Sequence, residues 1–352
     1  KNPITADKCR WNFNHPEVSN YTGKSPGVDR FDAQFFKVHY WQAHRMDILC
    51  RKALEQAYQA IYDAGLSSEH LSGQKVGVFI GTSCSETDKA FIVNSHGGGF
   101  GIAGCNRGMF PNRISYWLNA KGPSVSVDAS DCSGLAALEM AFQAIHRGDC
   151  VAALVGATNI CLHPQSSVHY ARIIKMSKDG KTKSFDQNAD GCAKSDAVNM
   201  LLLQKAKDAK RVYAELVHVK SGFTDLLETE VGPKFGFYRD SQVAARFINE
   251  FYKEAGVPPH AVEYVEAFGA AVSEADKEEL EAIETVFCKE RREPLLVGSV
   301  MSNIGYTEAA SGISAVTKVI LGYQRGKLAA NMHCTTPRQD IQAIRDGRMK
   351  VV

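Results

Sequence analysis

The chain has 352 residues, 44% hydrophobic and 23% charged, the balance of a globular protein with room for a large core. Its net charge of +2 is too weak a field to argue for a nucleic-acid or membrane surface, and no apolar run is long enough to span a bilayer. The first five residues do not read as a signal peptide, and the ten cysteines show no CxxC or metal-ligand spacing, so free thiols in a reducing cytoplasm are expected rather than disulfides.

Along the chain, residues 1 to 46 read as irregular, rich in turn formers such as Asn20, Gly23 and Pro26. Leu49, Leu54, Tyr58 and Ile61 then recur near helical spacing, with Gly65 as a stop. Lys75 to Gly81 reads as a buried strand and Asn112 to Leu118 as a short helix. Ser124 to Asp128 alternates as a strand and runs straight into a helix carrying Leu135, Leu138, Phe142 and Ile145, closed by Gly148. Val151–Thr158 and Val198–Leu203 read as strands, with an elaborated loop between His163 and Asp196. The second half repeats the rhythm. Strands are expected at Val212–Val219, Val262–Ala267 and Leu295–Val300, and helices at Gln242–Glu254, Asp276–Phe287 and Glu308–Tyr323. Such alternation predicts an α/β protein with mainly parallel sheets covered by helices. The glycine run Gly97-Gly98-Gly99-Phe100-Gly101 follows no strand and precedes no phosphate-type lysine, so it reads as a loop rather than a nucleotide cradle.

Three segments carry a specific resemblance. Val127-Asp128 leads into Ala129-Ser130-Asp131-Cys132-Ser133-Gly134-Leu135. Val265-Glu266-Ala267-Phe268-Gly269 follows, then Gly298-Ser299-Val300-Met301-Ser302-Asn303-Ile304-Gly305-Tyr306 with Glu308-Ala309-Ala310-Ser311-Gly312. In this order they resemble the Val-Asp-Thr-Ala-Cys-Ser-Ser-Ser-Leu, Val-Glu-Ala-His-Gly and Gly-Ser-x-Lys-Ser-Asn-x-Gly-His segments of β-ketoacyl synthases. Phe31-Asp32-Ala33-Gln34-Phe35-Phe36, Asn112-Arg113-Ile114-Ser115 and Ser184-Phe185-Asp186 are smaller echoes. The stretch from His39 to His44 and the segment His333-Cys334-Thr335-Thr336-Pro337 resemble the animal fatty acid synthase branch. The resemblance implies a thiolase-like fold, two similar βαβ-rich halves (1–205 and 206–352) in an α/β/α/β/α arrangement within one domain of residues 1–352. The family's first strand and its final glycine-rich segment have no counterpart, so a longer parent polypeptide is expected.

That family condenses acyl and malonyl units with a cysteine thiolate, two histidines and a supporting lysine, and needs no cofactor or metal. Here a gap-free match places Asp131 at the cysteine position, Phe268 and Tyr306 at the histidines, and Met301 at the lysine. Phenylalanine neither donates a hydrogen bond nor accepts a proton, and a carboxylate is a weak acyl acceptor. No histidine lies between residues 261 and 332 to stand in. Cys132 comes one residue late. Turned roughly 100° on a helix, it is expected to face away from the pocket as a core thiol. Ala270 and Val272 replace the polar wall, and with Asn303 are candidates for an acyl or pantetheine pocket. Asp276 and Glu279, which match family residues, are expected to be structural.

The expectation is a catalytically inactive ketosynthase-like domain: a homodimeric scaffold, or a module that binds an acyl or malonyl thioester or an acyl carrier protein domain. Two alternatives stand beside it. One is a synthase or acyltransferase with relocated chemistry on Cys132 and Tyr306; the other is a stand-alone lipid-binding protein.

Overall fold

The computed structural model describes residues 4–6, 10, 18–93, 100–289 and 291–352. The first sheet runs in the order Ser124–Val127, Val76–Thr82, Ala152–Asn159, Ala197–Gln204. Its first three strands are parallel and the last antiparallel. Because side chains alternate across a strand, Val76, Val78 and Ile80 enter one core cluster while Phe79 enters another on the opposite face. Helices Ile48–Asp63 and Met109–Leu118 cover the first face; Ser133–Arg147 and Ser311–Arg325 cover the second. The second sheet, Met349–Val351, Leu295–Gly298 and Tyr264–Glu266, is all parallel. It is backed by helices Ser241–Ala255 and Ser273–Phe287. The buried ion pair Lys318–Glu266, 2.9 Å long, ties the Ser311–Arg325 helix to it, so this helix belongs to the central layer. The arrangement is the layered thiolase-like fold.

Caps set the helix ends. Asp47, fully buried, accepts from the Leu49 N–H at 2.8 Å and starts the first long helix. Gly148, in the left-handed region, ends the helix from Ser133 as its position predicts. One predicted strand is not formed. Val212–Val219 joins none of the sheets among the described residues, with Val212 and Val217 largely exposed. Its β-branched residues favour extension, but no neighbouring strand takes up its ladder. The stretch expected as an elaborated loop holds a helix at Pro164–Ala171, capped by His163. Gly97-Gly98-Gly99 falls outside the described residues; Phe100–Cys105 beside it is a short helix. Among the described residues no helix is long and apolar enough to cross a membrane.

Candidate active site

The strand Ser124–Val127 delivers the chain to a tight turn, Ser130–Cys132, just ahead of the helix Ser133–Arg147. Ser130 has φ +53°, a strained value for a residue with a Cβ. Ser133 pins the turn: its Oγ donates to the Ser130 carbonyl at 2.6 Å and accepts from the Ala129 N–H at 2.8 Å. Two glycines let this turn sit on the sheet. A Cβ at Gly81 would lie 2.6 Å from the Ser133 backbone, and one at Gly134 would lie 2.9 Å from the Ala309 carbonyl.

The other site positions come from the second half. Phe268 follows the strand Tyr264–Glu266, and its N–H and that of Gly269 donate to the half-buried Glu279 at 2.7 and 2.9 Å. Asp276 one turn earlier accepts from the Phe185 N–H at 2.9 Å. Both carboxylates therefore shape loops, as expected of structural residues. Met301 opens the helix Val300–Ile304, whose N-cap Ser299 accepts from the Met301 N–H at 3.2 Å. Tyr306 is clamped by two backbone bonds, its N–H to Ala193 at 2.7 Å and its carbonyl from Ser195 at 2.9 Å.

Met301 and Tyr306 are each 1% exposed and form one apolar cluster with Ile174 and Cys192, against which Phe237 and Phe268 pack. The Phe237 ring centroid lies 5.0 Å from that of Phe268 and 5.3 Å from that of Tyr306, both edge-on. Behind Tyr306, Lys194 pairs with Glu308 at 2.7 Å, and the Tyr170 hydroxyl donates to the same carboxylate. The Lys194 ammonium sits 3.8 Å from the Tyr170 ring centroid. Burial works against the Lys194 charge, yet Glu308 holds its pKa above the ordinary value. Glu308 itself has φ +49°. Phe237 and this Lys194–Glu308–Tyr170 network escape sequence reading: the partners lie far apart in the chain, and no local pattern links them.

A cavity of about 150 Å³ opens between the turn and this cluster, bordered by Asp131, Cys132, Leu135, Phe268, Met301 and Ala315 among others. Three of the four replaced positions thus meet on one cavity, while Tyr306 does not border it. Ala270 and Val272 are buried in a separate apolar cluster behind Phe268, and Asn303 instead donates to the Ala330 carbonyl at 2.9 Å. None of these three candidates lines the cavity. The expectation for Cys132 also needs correction. The α-helix begins at Ser133, so Cys132 still belongs to the turn, and it is exposed on the cavity beside Asp131 rather than buried in the core. Its thiol pKa is raised, first by burial of the sulfur and then by the Asp131 charge, against the opposing pull of Arg239. Burial likewise raises the Asp131 carboxyl, with Glu308 adding to it and Arg239 and its own backbone N–H opposing. The Tyr306 phenol is pushed well above its usual range by burial and then by Asp131. Burial therefore shifts all three groups, Asp131, Cys132 and Tyr306, toward their neutral forms relative to their ordinary values.

The model of the β-ketoacyl synthase N-terminal domain matches residues 2–209, and that of the β-ketoacyl synthase C-terminal domain matches residues 229–335. The chain belongs to the β-ketoacyl synthase family. A fatty acid synthase sequence from Anser anser anser is 39% identical over 92% of this ketosynthase chain and 91% of its own length. The 5-methyl-1-naphthoate synthase of Streptomyces sahachiroi is 35% identical over 87% of the chain, a match that spans only 17% of that protein. Among solved structures, the ketosynthase from module 6 of the bacillaene synthase of Bacillus subtilis superposes with a TM-score of 0.83 at 28% identity. That match covers 96% of this chain and 59% of the other. This is a ketosynthase domain of the kind found in fatty acid and polyketide synthases.

Proposed function

We propose that this ketosynthase domain does not condense, and serves as a two-fold dimeric scaffold that holds an acyl group presented by a carrier protein. The supporting observation is the apolar cluster: Phe268, Met301 and Tyr306 pack with Phe237 where the family places two imidazoles and a lysine. Decarboxylation needs donors aimed at developing negative charge, and neither Phe268 nor Met301 offers one. Asp131 provides no thiolate. A dimer is favoured by the strand Ser124–Val127, which lies at the edge of its sheet with its outer side unpaired among the described residues.

The test is a malonyl decarboxylation and condensation assay on the unmodified protein, D131C, and the quadruple variant D131C/F268H/M301K/Y306H. The unmodified protein is expected to be silent and D131C at most to load acyl groups; turnover by the unmodified protein refutes the reading. The exposure of Cys132 on the cavity keeps a second reading in view, a relocated nucleophile. Its raised thiol pKa argues against a resting thiolate, and an acyl adduct mapped to Cys132 by mass spectrometry would decide for it.

A further inference from the structure

Residues 222–239 cross the outside of the site and are held to it by very little. Their one regular element, the hairpin Leu227–Thr229 and Gly232–Lys234, pairs only with itself, and a lone two-stranded hairpin is marginally stable in water. Among the described residues, no backbone hydrogen bond joins this segment to another part of the chain. Phe223, Val231 and Phe235 are 102%, 99% and 63% exposed, so these apolar side chains anchor nothing.

The polar ties are equally thin. Lys234 reaches Glu274, but that pair is largely exposed, and the Lys234 ammonium leans on the ring of Tyr238 in the same segment, 3.9 Å from its centroid. Arg239 donates to the Gly236 carbonyl at 3.2 Å and to the Tyr238 carbonyl at 2.6 Å, both its own neighbours. Firm attachment comes from Phe237 and Tyr238, which pack on the apolar cluster of Ala270, Val272 and Ala275. The Phe237 ring also stands edge-on to Phe268 and to Tyr306. Gly236 aims that ring inward. Its φ is +121°, a value that a residue with a Cβ resists, and a Cβ there would lie 3.2 Å from the Ile173 carbonyl. The Arg239 charge is felt at Asp131 and Cys132, so the segment lies over the cavity as well as against Tyr306.

We propose that residues 222–239 are a hinged strap with Phe237 as its stopper. Closed, the ring wedges Phe268 and separates Tyr306 from the cavity. Open, the strap swings away as a unit, Phe268 is free to turn, and the space at Tyr306 joins the cavity. Both ends stay fixed, since Ser221 donates to Glu139 and Asp240 caps the helix Ser241–Ala255. Few buried contacts and a self-contained hairpin place the strap among the segments that open most easily. The device is independent of what the site holds, so it goes beyond the acyl-holding reading and does not need it.

The experiment is fluorine NMR of the folded protein labelled with para-fluorophenylalanine, the Phe237 and Phe268 signals being assigned by their loss in F237L and F268L. Phe237 is expected to sample a buried and an exposed environment, read as two signals or as a population-weighted shift, with Phe268 changing in the same proportion. K234M should raise the exposed fraction about two- to fivefold, the worth of one exposed ion pair. Salt at roughly 1 M, which screens that pair, should do the same to the unaltered protein. G236A should raise it at least about fivefold, because the closed strap needs a backbone conformation that alanine resists. A Phe237 signal that is single and unmoved in the unaltered protein, at high salt and in G236A overturns the strap. A Phe237 signal that responds while Phe268 stays unmoved overturns its hold on the site.

Discussion

Replacing Glu308 with glutamine tests how the site's rear wall is held. Lys194 and Glu308 have side chains 2% and 4% exposed and meet at 2.7 Å. Removing one partner of such a pair leaves a buried charge without its counter-ion, at a cost of about 3–5 kcal/mol. The contact of Lys194 over the Tyr170 ring is present with or without Glu308 and cancels from the difference. Glutamine can still accept from the Tyr170 hydroxyl. The net expectation for E308Q is a loss of about 3 kcal/mol, a large share of the roughly 5–15 kcal/mol typical of a folded domain. The sign of the pH response follows from Lys194. In the wild type its pKa is raised in the fold, so its contribution is complete below the unfolded value and is lost as pH rises through the folded one. Without Glu308, burial is opposed only by weaker charges and the pKa falls. The penalty is then present at neutral pH and shrinks as pH rises toward about 10. Urea denaturation of wild type, E308Q and K194M/E308Q at pH 7 and pH 9.5 measures this. The double variant, with no charge left to strand, should recover most of the loss. A cost below 1 kcal/mol for E308Q, or a double variant as unstable as the single, would refute the reasoning.

Three further outcomes are expected. Burial pushes Asp276 up to about 7, and its Oδ1 has no partner among the described residues. The stability it contributes is thus complete below about pH 4 and lost as pH rises through about 7. D276N, which keeps the acceptor for Phe185, should flatten that slope in denaturation curves; a variant that is less stable at pH 8 with the wild-type slope would count against it. The Val78 N–H donates to the Pro123 carbonyl, so the alternation of a parallel ladder turns the Ser126 N–H toward the free edge. S126P should therefore weaken the dimer in sedimentation while leaving the far-UV spectrum unchanged, and an unshifted dimer would remove that edge from the interface. Cys132 should react slowly with iodoacetamide at pH 7 and faster as pH rises above about 8.5, because its thiol is raised despite exposure. Rapid labelling at neutral pH contradicts this.

Most of the fold is legible in the residues because its signals are local. The run from Val76 to Ile80, the helix ending at Gly148 and the helix Ser241–Ala255 each declare themselves by period and cap. Val212–Val219 misleads because strand propensity does not say whether a partner strand lies alongside. At the site, the motifs identify Asp131, Phe268, Met301 and Tyr306, but not what surrounds them. Cys132 differs from its expected place by a single step: the local winding is a tight turn and the α-helix starts one residue later, at Ser133. Phe237 follows the hairpin Leu227–Thr229 and Gly232–Lys234, with no motif to anchor it. The Lys194–Glu308 pair spans 114 residues of chain, a distance over which one sequence carries no readable coupling.

The two strained turns at Ser130 and Glu308 touch one another across the site. Each is braced by close backbone contact, through Gly81 beneath the first and between Gly134 and Ala309, next to Glu308, at the second. The mould of the site is therefore set by main-chain contacts and by side chains outside the four replaced positions, such as Ser133 and the Lys194–Glu308 pair. Substitutions at 131, 268, 301 and 306 can exchange reactive groups for inert ones, or back again, while the geometry into which they project stays fixed. In such an architecture, chemistry is the replaceable part and shape is the part that persists.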